Sequence, residues 1–398
     1  MTSAYHRGEA GASRSSEGRP RGVAWGKVML FGEYAVLERH SALLSATSHQ
    51  ASAQYQPFSE LQERQGDDDL PWRKLSELVA EMNVSGMTPI YAVNAGPLGQ
   101  MLIGTDHRSS SPNMISDPRD ESRPSFSLDG SLSCLGVDLP FARVALARWR
   151  APVGIYHIDT SRFGVQRGGH WEKMGIGSSG ASTAALIHLL AQLPSSRDEI
   201  NTPQQRFTAA CDIHHRVQGR LGSGADIATS VYGGFIRYQG PPDRIITPLR
   251  YRLPDTWGLW SGGSASTVRA VKHVKAWASR ERQNYLSCIE RIADVERDAY
   301  RALSSTEPQH LWCEALKRGA EAARALGERA GVPIWTPRHQ RWSQIVDTLG
   351  GAIKPSGAGG DDLSLFAAQD FESEQACLEA LRRDAEFRGE ELICFKLG

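Results

Sequence analysis

Apolar residues first gather after Gly22, in GVAWGKVMLFG, whose Val, Trp, Met, Leu and Phe content predicts a strand. The residues before it, 1–20, are polar and small and predict a disordered tail. From Ala181 to Leu193, ASTAALIHLLAQL combines helix formers with an almost continuous apolar surface, the pattern of a helix buried between layers. QQRFTAACDIHHRVQG predicts a second helix, followed by a glycine-rich turn and the strand GGFIRYQ. Beyond it, SRERQNYLSCIERIADVERDAYRAL and HLWCEALKRGAEAARALGERAG carry the helical apolar spacing, and LSLFAAQ and ELICFKL read as strands. The PPD after Gly240 interrupts both kinds of element and marks a joint. The pattern therefore predicts an α+β architecture in two lobes, 21–240 and 241–398, with a cleft between them. The stretch from Gly104 to Ser125 has no periodicity and reads as a surface loop, a lid or an insertion, with nothing in it that points to bound chemistry.

Composition narrows the classes. A chain of 398 residues exceeds the size at which one core stops growing, in keeping with two lobes. Lys plus Arg and Asp plus Glu both number 45, which leaves no net charge for holding nucleic acid by counterion release. No run approaches the roughly 18 apolar residues of a membrane span, and the N-terminus has no apolar signal region, so a soluble, cytoplasmic protein is expected. Its 6 cysteines form no CxxC pair and read as reduced core thiols.

The most specific chemistry lies in EKMGIGSSGASTAAL, Glu172 to Leu186, where a glycine turn runs directly into a helix. Gly175, Gly177 and Gly180 would let the N–H groups from Ile176 to Ala181 approach an anion, Ser178 and Ser179 supply hydroxyls, and the helix N-terminus favours negative charge. Neither a Walker loop nor a dinucleotide fingerprint is present. Taken alone, the segment is equally a glycine turn that starts a helix. Two further segments change the balance. GKVMLFGEYAVLE places Lys27 at the start of a strand that breaks at Gly32-Glu33, and GAIKPSGAGGDDLSLFA adds a second glycine turn before a strand.

In this order and at these separations the three segments resemble the signature motifs of the GHMP kinases, and the resemblance extends over about residues 22–398. It implies an N-terminal lobe like ribosomal protein S5 domain 2, a ferredoxin-like C-terminal lobe, and ATP with Mg²⁺ as cofactors. Within that superfamily GEYAVL around Tyr34, HIDTSRF, HHRVQGRLGSGADIATSVYGG, GLWSGGSAST and KPSGAGGDD are similar to phosphomevalonate kinases, whereas mevalonate kinases carry His at the place of Tyr34. Many members use Glu to hold the metal where this chain has His215, as phosphomevalonate kinases do. Gly180 replaces a usual alanine, and Asp361 stands for a glycine close to where phosphates are expected.

The resemblance assigns Lys27 to the transferring phosphate and Asp226, in GSGAD, to the acid that relatives use as base or as partner of the lysine. With a phosphorylated acceptor, whose second pKa of about 6 makes it a dianion at neutral pH, no base is required, and Asp226 would orient Lys27 and substrate. A solvated lysine and a turn aspartate are the plainer alternatives. Arg220, Ser264, Ser266 and Thr267 are candidates for the acceptor phosphate, although SAST also suits a helix cap, and Ser356, Gly357, Ala358 and Gly359 form the third, substrate-binding turn. Ser178 or Ser179 would add a hydroxyl ligand to Mg²⁺ held mainly by nucleotide oxygens, with His214 and His215 packing behind. Mevalonate kinase activity, another GHMP kinase, and an inactive fold acting as a sensor through a protein partner are the alternatives. Oligomeric state is not legible in the sequence.

Overall fold

The computed structural model describes residues 13–14, 19–57, 90–94, 100–104, 140–152, 154–167, 170–196, 198–218, 222–260, 262 and 267–398. Most of the tail, the loop beyond Gly104, Arg220, Ser264 and Ser266 lie outside these residues. The elements of the first part are β1 (Ser13–Arg14), β2 (Pro20–Phe31), β3 (Ser41–Pro57), β4 (Ile90–Asn94), β5 (Gln100–Gly104), α1 (Pro140–Arg148), β6 (Gly154–Asp159), the ribbon β7 (Gly164–Arg167) and β8 (His170–Lys173), α2 (Ser178–Leu190), α3 (Pro203–Gln218) and α4 (Ala225–Tyr232), then β9 (Phe235–Gln239) and β10 (Ile246–Pro248). The second part contains β11 (Trp257–Trp260), α5 (Thr267–Arg280), α6 (Arg282–Ala302), α7 (Pro308–Ala330), α8 (Pro337–Asp347), β12 (Gly351–Pro355), β13 (Ser364–Ala368), α9 (Phe371–Phe387) and β14 (Ile393–Lys396).

Long strand β3 organises the first sheet. Along one edge it pairs with β2; along the other its start pairs with β9 and its end with β6, and the path continues through β4 to β5. The strand β2 alternates half-buried and buried positions up to Lys27 and is buried throughout from Val28 to Phe31, where helices cover it. Against its sheet lies α2, buried from Gly180 to Leu190, as its nearly unbroken apolar surface requires. Even His188 within it is buried, its Nδ1–H donating to the Val23 carbonyl at 2.6 Å, and burial pushes its pKa down to about 4, so it stays neutral. After the Pro-Pro turn the chain returns to pair Ile246 with Tyr238 before leaving this sheet beyond Pro248.

The second sheet is antiparallel in the order β12-β13-β11-β14. One apolar cluster runs through both sheets, from Val28 and Leu44 to Trp312, Leu316, Ala352 and Leu365, so the parts are packed around a common interior. The periodic run from Ser279 to Leu303 forms α6 from Arg282 to Ala302, its first residues closing α5 and Glu281 standing between the two helices. One expectation needs correction. Lys27 does not begin a strand; β2 starts at Pro20, and Lys27 lies beyond a register shift between Trp25 and Lys27. Such an irregularity re-aims side chains, and Gly26 within it allows the chain at Ile176 to cross closely.

Candidate functional site

The glycine loop rests directly on β2. Lys27 N–H donates to the Ile176 carbonyl at 2.8 Å, fixing the loop above the lysine. Gly175 and Gly177 adopt φ of +68° and +82°, and a side chain at either would meet a functional group. A Cβ on Gly177 would stand 2.9 Å from Lys27 Cγ, and one on Gly175 only 2.0 Å from Asp362 Oδ1. These two glycines therefore make room for Lys27 and Asp362 beneath the loop, while their αL backbone turns it into α2.

Helix α2 is capped by Gly177 with no side-chain cap, and its first intrahelical bond runs from Ala181 N–H to Gly177 C=O at 3.0 Å. The N–H groups of Ser178, Ser179 and Gly180 precede that bond, which leaves the positive end of the dipole for an anion. Facing them is the first turn of α4, with Asp226; a Cβ on Gly180 would lie 3.3 Å from Asp226 Oδ2, so glycine here lets the two helix starts approach. His214, on α3, places Nε2 3.4 Å from Ser179 Oγ and 3.9 Å from Asp226 Oδ2. Adjacent residues on a helix diverge by about 100°. His214, rather than His215, consequently faces the loop, and His215 Nδ1 meets Arg244 Nη2 at 3.4 Å on another side.

The third segment is tied to the first. Ser356 Oγ donates to the Met29 carbonyl at 2.8 Å, and Tyr34 O–H to the Ala358 carbonyl at 2.8 Å. Buried Lys354 donates to the Leu30 and Pro355 carbonyls at 3.0 and 2.8 Å and to the Glu33 carboxylate. The adjoining aspartates differ. Asp361 accepts from Thr336 Oγ1 at 2.7 Å and lies 3.6 Å from Arg338, so its charge is engaged away from the loop and does not oppose phosphates as the sequence position suggested. Asp362 is the one that faces Gly175; burial pushes its carboxyl up to about 6, and the Lys27 ammonium acts in the other direction.

The structure thus gathers Lys27, Gly175–Ala181 and Asp226, turns His214 but not His215 toward the loop, and adds Asp362, which sequence reasoning named only as part of the third motif. The adjacency of Asp362 to the third glycine turn was the available signal; nothing in HH distinguishes which histidine turns inward. No carboxylate lies within 4.0 Å of Lys27 Nζ among the described residues, and Asp226 has His214 as its ion-pair partner. Ser356 and Ala358 are anchored to β2 and Tyr34, with Gly357 and Gly359 at φ of +66° and +79°. Thr267 opens α5.

Residues 167–234 match the family described as GHMP kinases N terminal domain. Across the whole chain the fold matches a Lin0012 protein from Listeria innocua, with 21% identity, 95% of this chain, 97% of that one and a TM-score of 0.69. This is a GHMP kinase fold. The same fold occurs in the Streptococcus pneumoniae phosphomevalonate kinase solved with phosphomevalonate and AMPPNP, at 15% identity over 94% of this chain and 99% of that chain, with a TM-score of 0.65. In sequence, the GHMP-fold chain is 32% identical over 218 residues to a phosphomevalonate kinase of a Streptomyces species, covering 48% of this chain and 56% of the relative. Its alignment with a Gibberella zeae phosphomevalonate kinase, at 24% identity, covers 51% of this chain and 54% of the relative, so the matched stretches span just over half of each curated relative.

Proposed function

We propose that the chain transfers the terminal phosphoryl group of ATP to phosphomevalonate, giving diphosphomevalonate, with 21–240 and 241–398 as the two lobes that bound the cleft. The carrying observation is the arrangement beneath the loop: a lysine whose stem lies under Gly177 and whose charge has no carboxylate within 4.0 Å among the described residues, beside the N-terminus of a helix whose first intrahelical bond starts only at Ala181 N–H. Phosphoryl transfer depends on positioning and on neutralising charge rather than on covalent chemistry, and this arrangement offers both. The Ser178, Ser179 and Gly180 amides would hold the nucleotide phosphates, and Lys27 would act on the group in flight.

Mg²⁺ bound with ATP supplies further neutralisation. Among the described residues no three His, Cys, Asp or Glu side chains are grouped to hold a metal; the Ser178 or Ser179 hydroxyl would join the nucleotide oxygens that hold the ion. No helix of the described residues is long and apolar enough to cross a membrane.

The acceptor is read from the curated relatives, which are phosphomevalonate kinases, and from the motifs shared with them. Its dianion needs no general base, so Asp226 orients rather than deprotonates, while Arg220, Ser264, Ser266 and Thr267 would bind the acceptor phosphate and Ser356–Gly359 the rest of the acceptor. A hydroxyl acceptor such as mevalonate is the second reading, favoured by Asp226, a carboxylate poised across Gly180 that could accept a proton. Coupled ADP release with mevalonate and phosphomevalonate offered separately decides between them. Faster turnover of phosphomevalonate, falling on the acid side near the phosphate pKa of about 6, is expected; faster turnover of mevalonate overturns the first reading.

A further inference from the structure

Beside the glycine loop lies a polar side chain to which the proposed reaction gives no role. His214 is 11% exposed, and its Nε2 stands between two groups on different helices, Ser179 Oγ at 3.4 Å and Asp226 Oδ2 at 3.9 Å. Ser179 belongs to the first turn of α2, beside its Gly177 cap; Asp226 belongs to the first turn of α4. Nothing else among the described residues pairs ionically with Asp226, whose side chain is 29% exposed.

A carboxylate in that place has a physical difficulty. Two phosphorylated substrates would bring several negative charges close to Asp226, and in a cleft of reduced dielectric that repulsion amounts to kilocalories. An unrestrained aspartate would turn toward water. The imidazole opposes this: in the tautomer with its proton on Nε2, the N–H points between the Ser179 and Asp226 oxygens, 3.4 and 3.9 Å away, and can draw the carboxylate toward it. Its ring is held on α3 by burial of the flanking Ile213 and Cys211, so it provides a fixed point against which both helix starts are set.

We infer that His214 is a positioning residue of the phosphoryl-transfer site, holding Asp226 and Ser179 at a fixed separation across the mouth of the glycine loop. The inference rests on the kinase reading above. His214 itself touches neither the transferring group nor its acceptor; it acts through Asp226. Removing it would leave nucleotide binding to the loop amides nearly intact and would slow turnover, because misplacing a catalytic group by about an ångström lowers rate by roughly a hundredfold.

The test compares the full-length chain with His214→Ala, His214→Gln, Asp226→Asn and His214→Ala/Asp226→Asn, in coupled ADP release with the acceptor that the parent turns over and in thermal unfolding. His214→Ala is expected to lower kcat about tenfold to a hundredfold with the ATP KM within about threefold. His214→Gln, whose Nε2 reproduces the donor, should recover most of that loss. The double variant should be no slower than the slower single variant, since both remove one unit. Three results overturn the inference: kcat of His214→Ala within about twofold of the parent, fully multiplicative losses, or a loss that follows a lowered melting temperature and is not rescued by Gln. If the parent phosphorylates no acceptor offered, the kinase reading fails separately. The contact of His214 with Asp226 and Ser179, on which the inference stands, is tested independently by ¹⁵N resonances of the His214 ring in the parent, Asp226→Asn and Ser179→Ala. Shifts of Nε2 in both variants support it, and unchanged shifts overturn it.

Discussion

Two lysines in glycine-flanked segments meet opposite fates. Lys354 is 1% exposed and spends its three N–H donors on the Leu30 and Pro355 carbonyls and the Glu33 carboxylate. Lys27 is half-buried, its stem lies along Gly177, and its ammonium has no carboxylate within 4.0 Å among the described residues. Burial raises the Glu33 pKa while Lys354 pulls it down, the balance of a closed pair. A cation whose donors are all used inside the protein holds structure; one left with free donors beside a helix N-terminus is available to a ligand. Removing each should therefore injure a different property.

The largest effect is expected at Lys354. Lys354→Ala leaves Glu33 buried without its partner, which typically destabilises by about 3–5 kcal/mol. Because the same lysine braces β12 against the end of β2, urea unfolding should show a reduced midpoint, and Glu33→Gln/Lys354→Met should recover much of it. A loss below about 1 kcal/mol would mean that the pair does not hold this junction. Lys27→Ala should do the reverse. Its unfolding midpoint should match the parent and its ATP affinity should change little, but turnover should fall about 10²- to 10³-fold, the usual consequence of losing one donor to the transferring group. Near-normal turnover would remove Lys27 from the site.

The contrast also explains what was legible in the sequence. Strand and helix periods identified β2, α2, α3, α7, β9, β13 and β14 because each buries one face or all of it, and burial is what the pattern records. Helices α8 and α9 went unremarked, although Thr336 caps the first with His339 and Asp370 accepts from Ser373 N–H at the start of the second. The glycine loop was marked by its glycine and serine spacing, while Lys27 and Asp226 were singled out by the resemblance of their segments to the GHMP kinase motifs. What the sequence does not encode locally is orientation. Asp361 and Asp362 are neighbours, yet one turns to Thr336 and the other to Gly175. His214 and His215 diverge by helix geometry. Lys354 met Glu33 only through folding, being separated from it by 321 residues.

A smaller effect separates the two glycine turns. Gly177→Ala forces an L-residue to φ +82° and sets its Cβ 2.9 Å from Lys27 Cγ, whereas Gly357→Ala, at φ +66°, meets nothing within 4 Å. Both carry the left-handed penalty of about 1–2 kcal/mol. Gly177→Ala should add displacement of Lys27, so its turnover per folded molecule should fall while ATP affinity, measured by calorimetry, falls less. Equal calorimetric and kinetic losses would show that this glycine serves the phosphate directly rather than by admitting the lysine stem.

The finest test concerns Asp362, the carboxyl that faces Lys27 without pairing closely with it. Its pKa is raised from 3.8 to about 6 by burial, so the folded chain binds this proton more tightly than the unfolded chain. The stability it contributes is full below pH 3.8 and is lost as pH rises through about 6. At pH 7 the buried carboxylate destabilises on the order of 1–3 kcal/mol relative to a neutral isostere. Asp362→Asn should accordingly unfold at higher urea than the parent at pH 7, and the gain should vanish near pH 4, where the parent's carboxyl is also neutral. The same variant sharpens the acid limb of activity, since Asp362 and the acceptor phosphate both titrate near pH 6. A limb that persists in Asp362→Asn belongs to the acceptor, and one that disappears belongs to the carboxyl beneath Gly175. A stability gain that remains at pH 4 would show that amide packing, and not the charge, is what the substitution changed.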